Sequence, residues 1–253
     1  MHTRTRREFA HQAATFAVSA AMTDQAQVAR LANAIGEAGH GRVLDVACGP
    51  GIVTSALAER AQEVVALDVT PQMLDKARER CKEAGHTNVV FTEGSATALP
   101  FADDRFDAVI TRLSIHHFVD PRAAVAEMLR VLRRGGSLAV ADVASSEDAS
   151  KSELQNAIEV LRDPSHVRML PPSELTALVR SFGVTIEQQD CWDKVREFEE
   201  WLGIVANPER TAPLRTVVRA LATAGEDAGM GLKILDGSIQ FLHRWQLIVA
   251  RKS

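Results

Sequence analysis

The chain has 253 residues, 46% of them hydrophobic, enough to bury a full core in one domain with embellishments and too many for a staple-dependent miniprotein. Its net charge of −4 exerts no overall pull on nucleic acid, so no nucleic-acid partner is expected. Cys48, Cys81 and Cys191 are odd in number and widely separated, which reads as packed, reduced thiols rather than a disulfide framework or a cysteine-based metal site.

The N-terminus carries Arg4, Arg6 and Arg7, followed by a mildly apolar stretch over 9–22 that contains His11, Gln12, Thr15 and Ser19. That stretch lacks the continuous apolar run of a secretory signal, and although early arginines also suit a mitochondrial presequence, it reads as a structural helix. Residues 1–40 are expected to form two helical pieces, with Thr23 or Asp24 as an N-cap and Gly39 near the stop. Phe9 and Phe16 are seven apart and share one helical face, either docked on the core or forming a flap over a site. Apolar runs along the whole chain fall short of the ~18–20 residues of a membrane span, so a soluble, cytoplasmic protein with no membrane span is expected.

From Val43 the pattern becomes regular, alternating apolar runs with amphipathic helices. Strands are expected over 42–47, 63–68, 89–93, 106–111, 137–141, 184–188 and 244–250, and helices separate most of the first five. This alternation predicts an α/β protein with a mostly parallel sheet and helices on both faces, because parallel neighbours need a crossover long enough to hold a helix. Thr70 with Pro71, and Asp120 with Pro121, mark helix starts; Gly85 and Gly135-Gly136 mark ends. Beyond Ala144 the beat weakens. Helical insertions are expected at about 145–181 and 193–240, so the domain division is an N-terminal helical segment over 1–40 and a main domain over 41–253 that includes both insertions.

The run Val43-Leu44-Asp45-Val46-Ala47-Cys48-Gly49-Pro50-Gly51 ends a buried strand in a tight glycine turn, where the missing Cβ atoms let a ligand approach the backbone. The helical segment over 52–61 would aim its free N–H groups at the same spot. Asp45 inside the strand is costly unless it receives hydrogen bonds or a cation. Asp68, seventeen residues past Gly51, ends the second strand where doubly wound folds place a carboxylate on ribose hydroxyls. A dinucleotide fingerprint would carry a third glycine at position 54, but Thr54 stands there. The substitution disfavours a pyrophosphate and points to a smaller adenosyl ligand.

Here the chain resembles the class I S-adenosylmethionine-dependent methyltransferases, in particular the branch that includes ubiquinone and menaquinone biosynthesis enzymes (methyltransferase type 11). The resemblance rests on the glycine turn, on Val65-Ala66-Leu67-Asp68-Val69-Thr70-Pro71-Gln72-Met73-Leu74, and on Gly94-Ser95-Ala96-Thr97-Ala98-Leu99-Pro100-Phe101. It continues through Phe106-Asp107-Ala108-Val109-Ile110-Thr111 and Leu129-Arg130-Val131-Leu132-Arg133-Arg134-Gly135-Gly136, in the family's order and spacing. It implies a Rossmann-like seven-stranded sheet whose last strand is antiparallel, with an α-helical cap. It also implies that Ala47, Gly49 and Gly51 line the methionine and ribose portion of S-adenosyl-L-methionine, with Asp45 on the ammonium group. Asp68 would take the ribose hydroxyls, and Val69 and Met73 would flank the adenine. Gly94, Ser95 and Ala96 would meet its edge, Ser95 replacing a commoner acid with a neutral acceptor. Carbonyls near Thr111 would accept from the ammonium.

His116 and His117 follow the fourth strand, at the carboxyl edge where open α/β folds bind ligands, and either imidazole could serve as a general base or merely pack. The chain has no tyrosine, so no phenolate is available. Asn207-Pro208 is followed by Glu209, unlike the Asn-Pro-Pro-aromatic motif of amino-group methylases. Arg162, His166 and Arg168 are candidates to receive a polar or anionic acceptor, and Trp192 and Trp201 could wall an apolar pocket; no metal ligands are expected. The expected function is methyl transfer from S-adenosyl-L-methionine to oxygen, nitrogen or carbon of a small-molecule acceptor, with S-adenosyl-L-homocysteine as product. The alternatives are an NAD(P)-dependent oxidoreductase and a non-methylating S-adenosylmethionine-binding protein. Oligomeric state has no signature in the sequence.

Overall fold

A computed structural model describes residues 2–19, 23–205 and 207–253, so the last part of the stretch over 9–22 lies outside the described residues. Helix α1 (His2–Val18) is followed by α2 (Gln25–Ala34), whose N-cap Asp24 accepts from the N–H groups of Ala26 and Gln27. Strand β1 (Arg42–Val46) then opens the alternation: α3 (Ile52–Ala58), β2 (Glu63–Asp68), α4 (Pro71–Glu83), β3 (Val89–Glu93), β4 (Phe106–Arg112), α5 (Pro121–Val131) and β5 (Leu132–Ala144). Next come α6 (Ala149–Arg162), α7 (Pro172–Arg180), β6 (Thr185–Glu197), α8 (Phe198–Gly203), α9 (Pro208–Thr223), β7 (Lys233–Leu235) and β8 (Ser238–Arg251). The strands order as β3-β2-β1-β4-β5-β8-β6, with β7 paired to β8. Strands β1 to β5 pair in parallel, and β8 runs antiparallel between β5 and β6.

Side-chain alternation divides the core into two layers. Val43, Val64, Ala108, Ile110, Leu247 and Val249 face α2 and α3, where Leu31, Val53 and Leu57 meet them. Leu44, Val46, Val65, Val109, Leu138 and Val140 face the opposite way onto Val125 and Met128 of α5 and Leu175 and Val179 of α7. With both faces covered, the central strands read as near-continuous apolar runs. That places the strand ends β1, β2 and β4 side by side along one carboxyl edge.

The expected seven strands are present, but the segment over 193–240 is not wholly helical. Strand β6 continues to Glu197, paired with β8 as far as Gln240, and the short β7 adds a hairpin. Along β6 exposed and half-buried residues alternate, so the edge strand lacks the apolar run by which its neighbours announce themselves. Helices α6, α8 and α9 pack over that hairpin through Ile158, Phe198, Trp201, Leu214, Val218 and Phe241. Thr70 holds the N-cap position of α4 without a side-chain capping bond; the carboxylate of Asp68 accepts its N–H instead. Cys48 and Cys81 are buried and Cys191, on β6, is exposed rather than packed; all three are free thiols. No helix among the described residues is long and apolar enough to cross a membrane.

Candidate active site

The turn after β1 takes the left-handed backbone three times, at Ala47 (φ 56°), Gly49 (φ 53°) and Gly51 (φ 74°). The two glycines do different work. A Cβ on Gly49 would project into open space, whereas one on Gly51 would stand 2.8 Å from Cα of Ala77. Gly51 therefore lets α4 pack against the start of α3, and Gly49 lies open to the cavity above the sheet edge.

Two buried carboxylates fix this turn. Asp68 accepts the N–H of Gly49 at 2.9 Å through Oδ2 and that of Thr70 at 2.8 Å through Oδ1, tying β1 to the end of β2. Burial nevertheless leaves its pKa above the ordinary carboxylate value. Asp45, 2% exposed, accepts the hydroxyl of Thr54 at 2.6 Å through Oδ2. The residue in place of a third glycine is thus the donor that holds Asp45. Burial, with repulsion from Asp68, raises Asp45 to about 7 despite the Thr54 bond and the attraction of Arg112.

These groups line a cavity of about 360 Å³. Its wall includes Asp45, Ala47, Gly49, Asp68, Val69, Met73, Gly94, Ser95, Ala96 and His117, drawn together from four separate stretches of chain. Phe9 and Phe16 of α1 close one side, their rings edge to face at 6.2 Å. Helix α1 is held there in part by Arg80, which donates to Ala17 O at 2.7 Å and to Pro50 O at 3.1 Å. Three residues expected at the site stand behind the wall: Gly51, His116 and Thr111, whose hydroxyl donates to Val46 O at 2.8 Å. Arg112, Ser114, Thr97 and Phe118 line it without having been singled out. The signal for Arg112 was available, since a cation closing an apolar strand at the ligand edge is as costly as Asp45.

His117 donates its Nδ1 proton to the Ser165 carbonyl at 3.0 Å, so Nε2 carries the lone pair. Its ring meets Phe9 at 4.8 Å. Burial and the neighbouring His116 ring, 4.1 Å away, lower its pKa to about 3 and keep it neutral. His116 binds Asp142 at 2.5 Å through Nδ1; burial opposes the imidazolium, but Asp142 outweighs it and raises the pKa.

The five acceptor-binding candidates lie elsewhere. Arg162 pairs with Glu159 at 2.9 Å and covers the ring of Trp201 at 4.3 Å, and Trp201 is a core anchor of the cap. His166 is buried and bonded to Asn156 at 2.8 Å. Arg168 makes a two-pronged pair with Glu174 at 2.6 and 2.8 Å. Trp192 stacks on Trp245 at 5.9 Å beneath Arg30. None of these side chains lines the cavity.

Residues 44–140 match a family model described as a methyltransferase domain, a span that holds both carboxylates and both histidines. A solved protein of Bacillus halodurans assigned as a methyltransferase superposes with a TM-score of 0.83 at 31% identity, over 90% of this chain and 99% of that one. The chain belongs to the class I methyltransferases. It is 36% identical over 161 residues to the uncharacterized methyltransferase YcgJ of Bacillus subtilis, covering 64% of each chain. It is also 42% identical over 110 residues to the demethylmenaquinone methyltransferase of Renibacterium salmoninarum, covering 44% of each. The chain therefore spans less than two thirds of the length of these curated methyltransferases, and α6 to β8 lie outside the family match.

Proposed function

We propose that this methyltransferase moves a methyl group from S-adenosyl-L-methionine to oxygen, nitrogen or carbon of a small-molecule acceptor. The observation that carries the reading is the pairing of Asp45 and Asp68 on one cavity around an open Gly49. The residues suit the ligand. Asp68 spends one lone pair of each oxygen on backbone N–H groups, leaving the others for vicinal ribose hydroxyls. Asp45 engages Thr54 through Oδ2 and has Oδ1 for an ammonium group. Val69 and Met73 give apolar contact for adenine faces, and Ser95 a neutral hydrogen-bonding group at the edge. The ligand supplies a sulfonium-activated methyl group, so the protein has little covalent work to do.

The contribution of the chain is orientation, worth up to ~7–11 kcal/mol in well-aligned systems, and management of one proton. His117, neutral and with Nε2 unprotonated, accepts the proton an acceptor hydroxyl or amine releases as its bond to the methyl forms. His116 and Asp142 stand behind it as positioning residues. Phe9 and Phe16 exclude water from the acceptor side. The free thiols fit a reducing compartment such as the cytoplasm.

Calorimetry with S-adenosyl-L-homocysteine tests the cofactor, and absence of binding at millimolar ligand in a folded sample would sink the proposal. Product mass after turnover with S-adenosyl-L-methionine separates methyl transfer from binding alone.

A further inference from the structure

Helix α6 stops at Asp163 because the next residue, Pro164, drives it out of the helical region, to φ −122° and ψ 110°. The Asp163 N–H still reaches back to the Glu159 carbonyl at 2.7 Å, while its side chain folds forward over the turn. There Oδ1 accepts both the N–H of Ser165 at 2.8 Å and its hydroxyl at 2.6 Å. Asp163 is 2% exposed; burial opposes its carboxylate, but His117, Arg162 and the Ser165 bonds outweigh it and hold the pKa below the ordinary value. The rest of the turn clasps the histidine pair, since Val167 and Arg168 donate their N–H groups to the His116 carbonyl at 2.9 and 3.0 Å. Residues 163–168 lie beyond the span 44–140 that matches the family model.

His117 Nδ1 has two neighbours on Ser165, the carbonyl oxygen at 3.0 Å and the hydroxyl oxygen at 3.2 Å. The carbonyl only accepts, so it demands a proton on Nδ1. A hydroxyl both donates and accepts, and one that donated to Nδ1 would move the ring proton to Nε2. That tautomer has no lone pair at Nε2 with which to take a proton. Asp163 removes the choice. A carboxylate offers no proton, so the 2.6 Å bond commits the Ser165 hydroxyl hydrogen to Oδ1 and leaves its oxygen to accept.

We infer that Asp163 is a positioning residue for His117, acting through the Ser165 hydroxyl to hold the imidazole in the tautomer whose Nε2 is free to accept a proton. Its weight in catalysis rests on the general-base reading above; the tautomer itself does not. The same chain of bonds sets a negative charge behind the ring, where it favours the imidazolium formed when Nε2 takes a proton. Asp163 and Ser165 therefore reach the site from a segment whose cations, Arg162 and Arg168, are spent on other partners.

Nitrogen NMR of the full chain carrying isotopically labelled histidine, free and with S-adenosyl-L-homocysteine, reads the tautomer from the shifts of the two His117 ring nitrogens, assigned with His117→Gln. Wild-type protein is expected to show Nδ1 protonated and Nε2 unprotonated. Asp163→Ala frees the hydroxyl hydrogen and should lower the ratio of that tautomer to the other about fivefold, the effect of one ordinary hydrogen bond. Asp163→Asn keeps an acceptor oxygen for Ser165 and should preserve the wild-type ratio. Adding Ser165→Ala to Asp163→Ala removes the competing donor and should restore it. A wild-type ring protonated on Nε2 overturns the assignment without any variant having to fold. So does a ratio that Asp163→Ala leaves unchanged, an Asp163→Asn fall as large as that of Asp163→Ala, or a fall that Ser165→Ala does not reverse, the pattern of a merely loosened turn. The expected tautomer pattern in a protein that binds no S-adenosyl-L-homocysteine at millimolar ligand upholds the role of Asp163 and removes the cofactor reading alone.

Discussion

Asp45→Asn should make the empty protein more stable at alkaline pH while abolishing cofactor affinity. Burial pushes the native carboxyl up to about 7 from its ordinary value of 3.8. A folded-state pKa raised in this way means that the native state holds the proton more tightly than the unfolded chain. Below about pH 4 both states are protonated and the charge costs nothing. Between about 4 and 7 the penalty grows with pH, and above about 7 it is constant at ~4 kcal/mol. Asparagine is nearly isosteric, keeps an oxygen for the Thr54 hydroxyl, and carries no charge at any of these values. Urea unfolding of both proteins at intervals from pH 4 to 9 measures the difference directly. The advantage of the variant should climb by several kcal/mol across the interval and level off above pH 7. A difference that is flat with pH, or that moves in favour of the wild type as pH rises, would refute the account of Asp45 as a carboxylate held at a cost. Calorimetry with S-adenosyl-L-homocysteine on the same samples should show binding only to the wild type.

His117→Ala should lower turnover by ~10²–10⁴-fold for acceptors that must lose a proton, with S-adenosyl-L-homocysteine affinity within twofold of wild type; unchanged turnover removes the base role. Ser95→Asp replaces a hydroxyl by a carboxylate at the adenine edge and should tighten S-adenosyl-L-homocysteine binding by ~1 kcal/mol, about fivefold, in calorimetry. The two glycines of the turn should separate. Gly51→Ala adds a Cβ 2.8 Å from backbone to the left-handed penalty at φ 74° and should cost ~2–5 kcal/mol in urea unfolding. Gly49→Ala meets no atom, so its stability loss should stay near ~1–2 kcal/mol, the left-handed penalty alone, while its ligand affinity collapses.

Much of the sheet and its ligand edge was legible because the information is local. The apolar run, the turn, Asp68 at the next strand end and Gly94 after the third all lie within a few residues of the geometry they impose. Thr54 was legible only as a missing glycine, since its bond to Asp45 spans a strand, a turn and a helix. The failures share a cause. Arg162 and Arg168 read as candidates to receive a polar or anionic acceptor, yet each is matched by a carboxylate close in sequence, Glu159 one helical turn back and Glu174 in the first turn of α7. Trp201 needed α6, α9 and β8 around it before it could be recognised as core. The far half of β6 is polar on its exposed face, and its pairing with β8 spans tens of residues, so no local pattern foretold it.

The histidine pair shows why residue type alone could not divide the labour at this site. The two imidazoles are adjacent in sequence, and burial disfavours the charged form of both. What separates them is the direction each Nδ1 takes. His116 points it at Asp142, a full charge presented from β5, and gains a reason to hold a second proton. His117 points it at a neutral carbonyl, which orients the ring, fixes the tautomer and favours the charged form too little to offset burial and the neighbouring His116. Once His116 leans toward the cation, its field at 4.1 Å pushes His117 further toward neutrality. The asymmetry therefore reinforces itself: the imidazole behind the wall is the readier of the two to take a charge, and the one lining the cavity keeps the lone pair. Asp142 is then a remote control on the cavity. Its neutralisation would relax His116 toward the uncharged form and raise the basicity of His117 without touching the ligand.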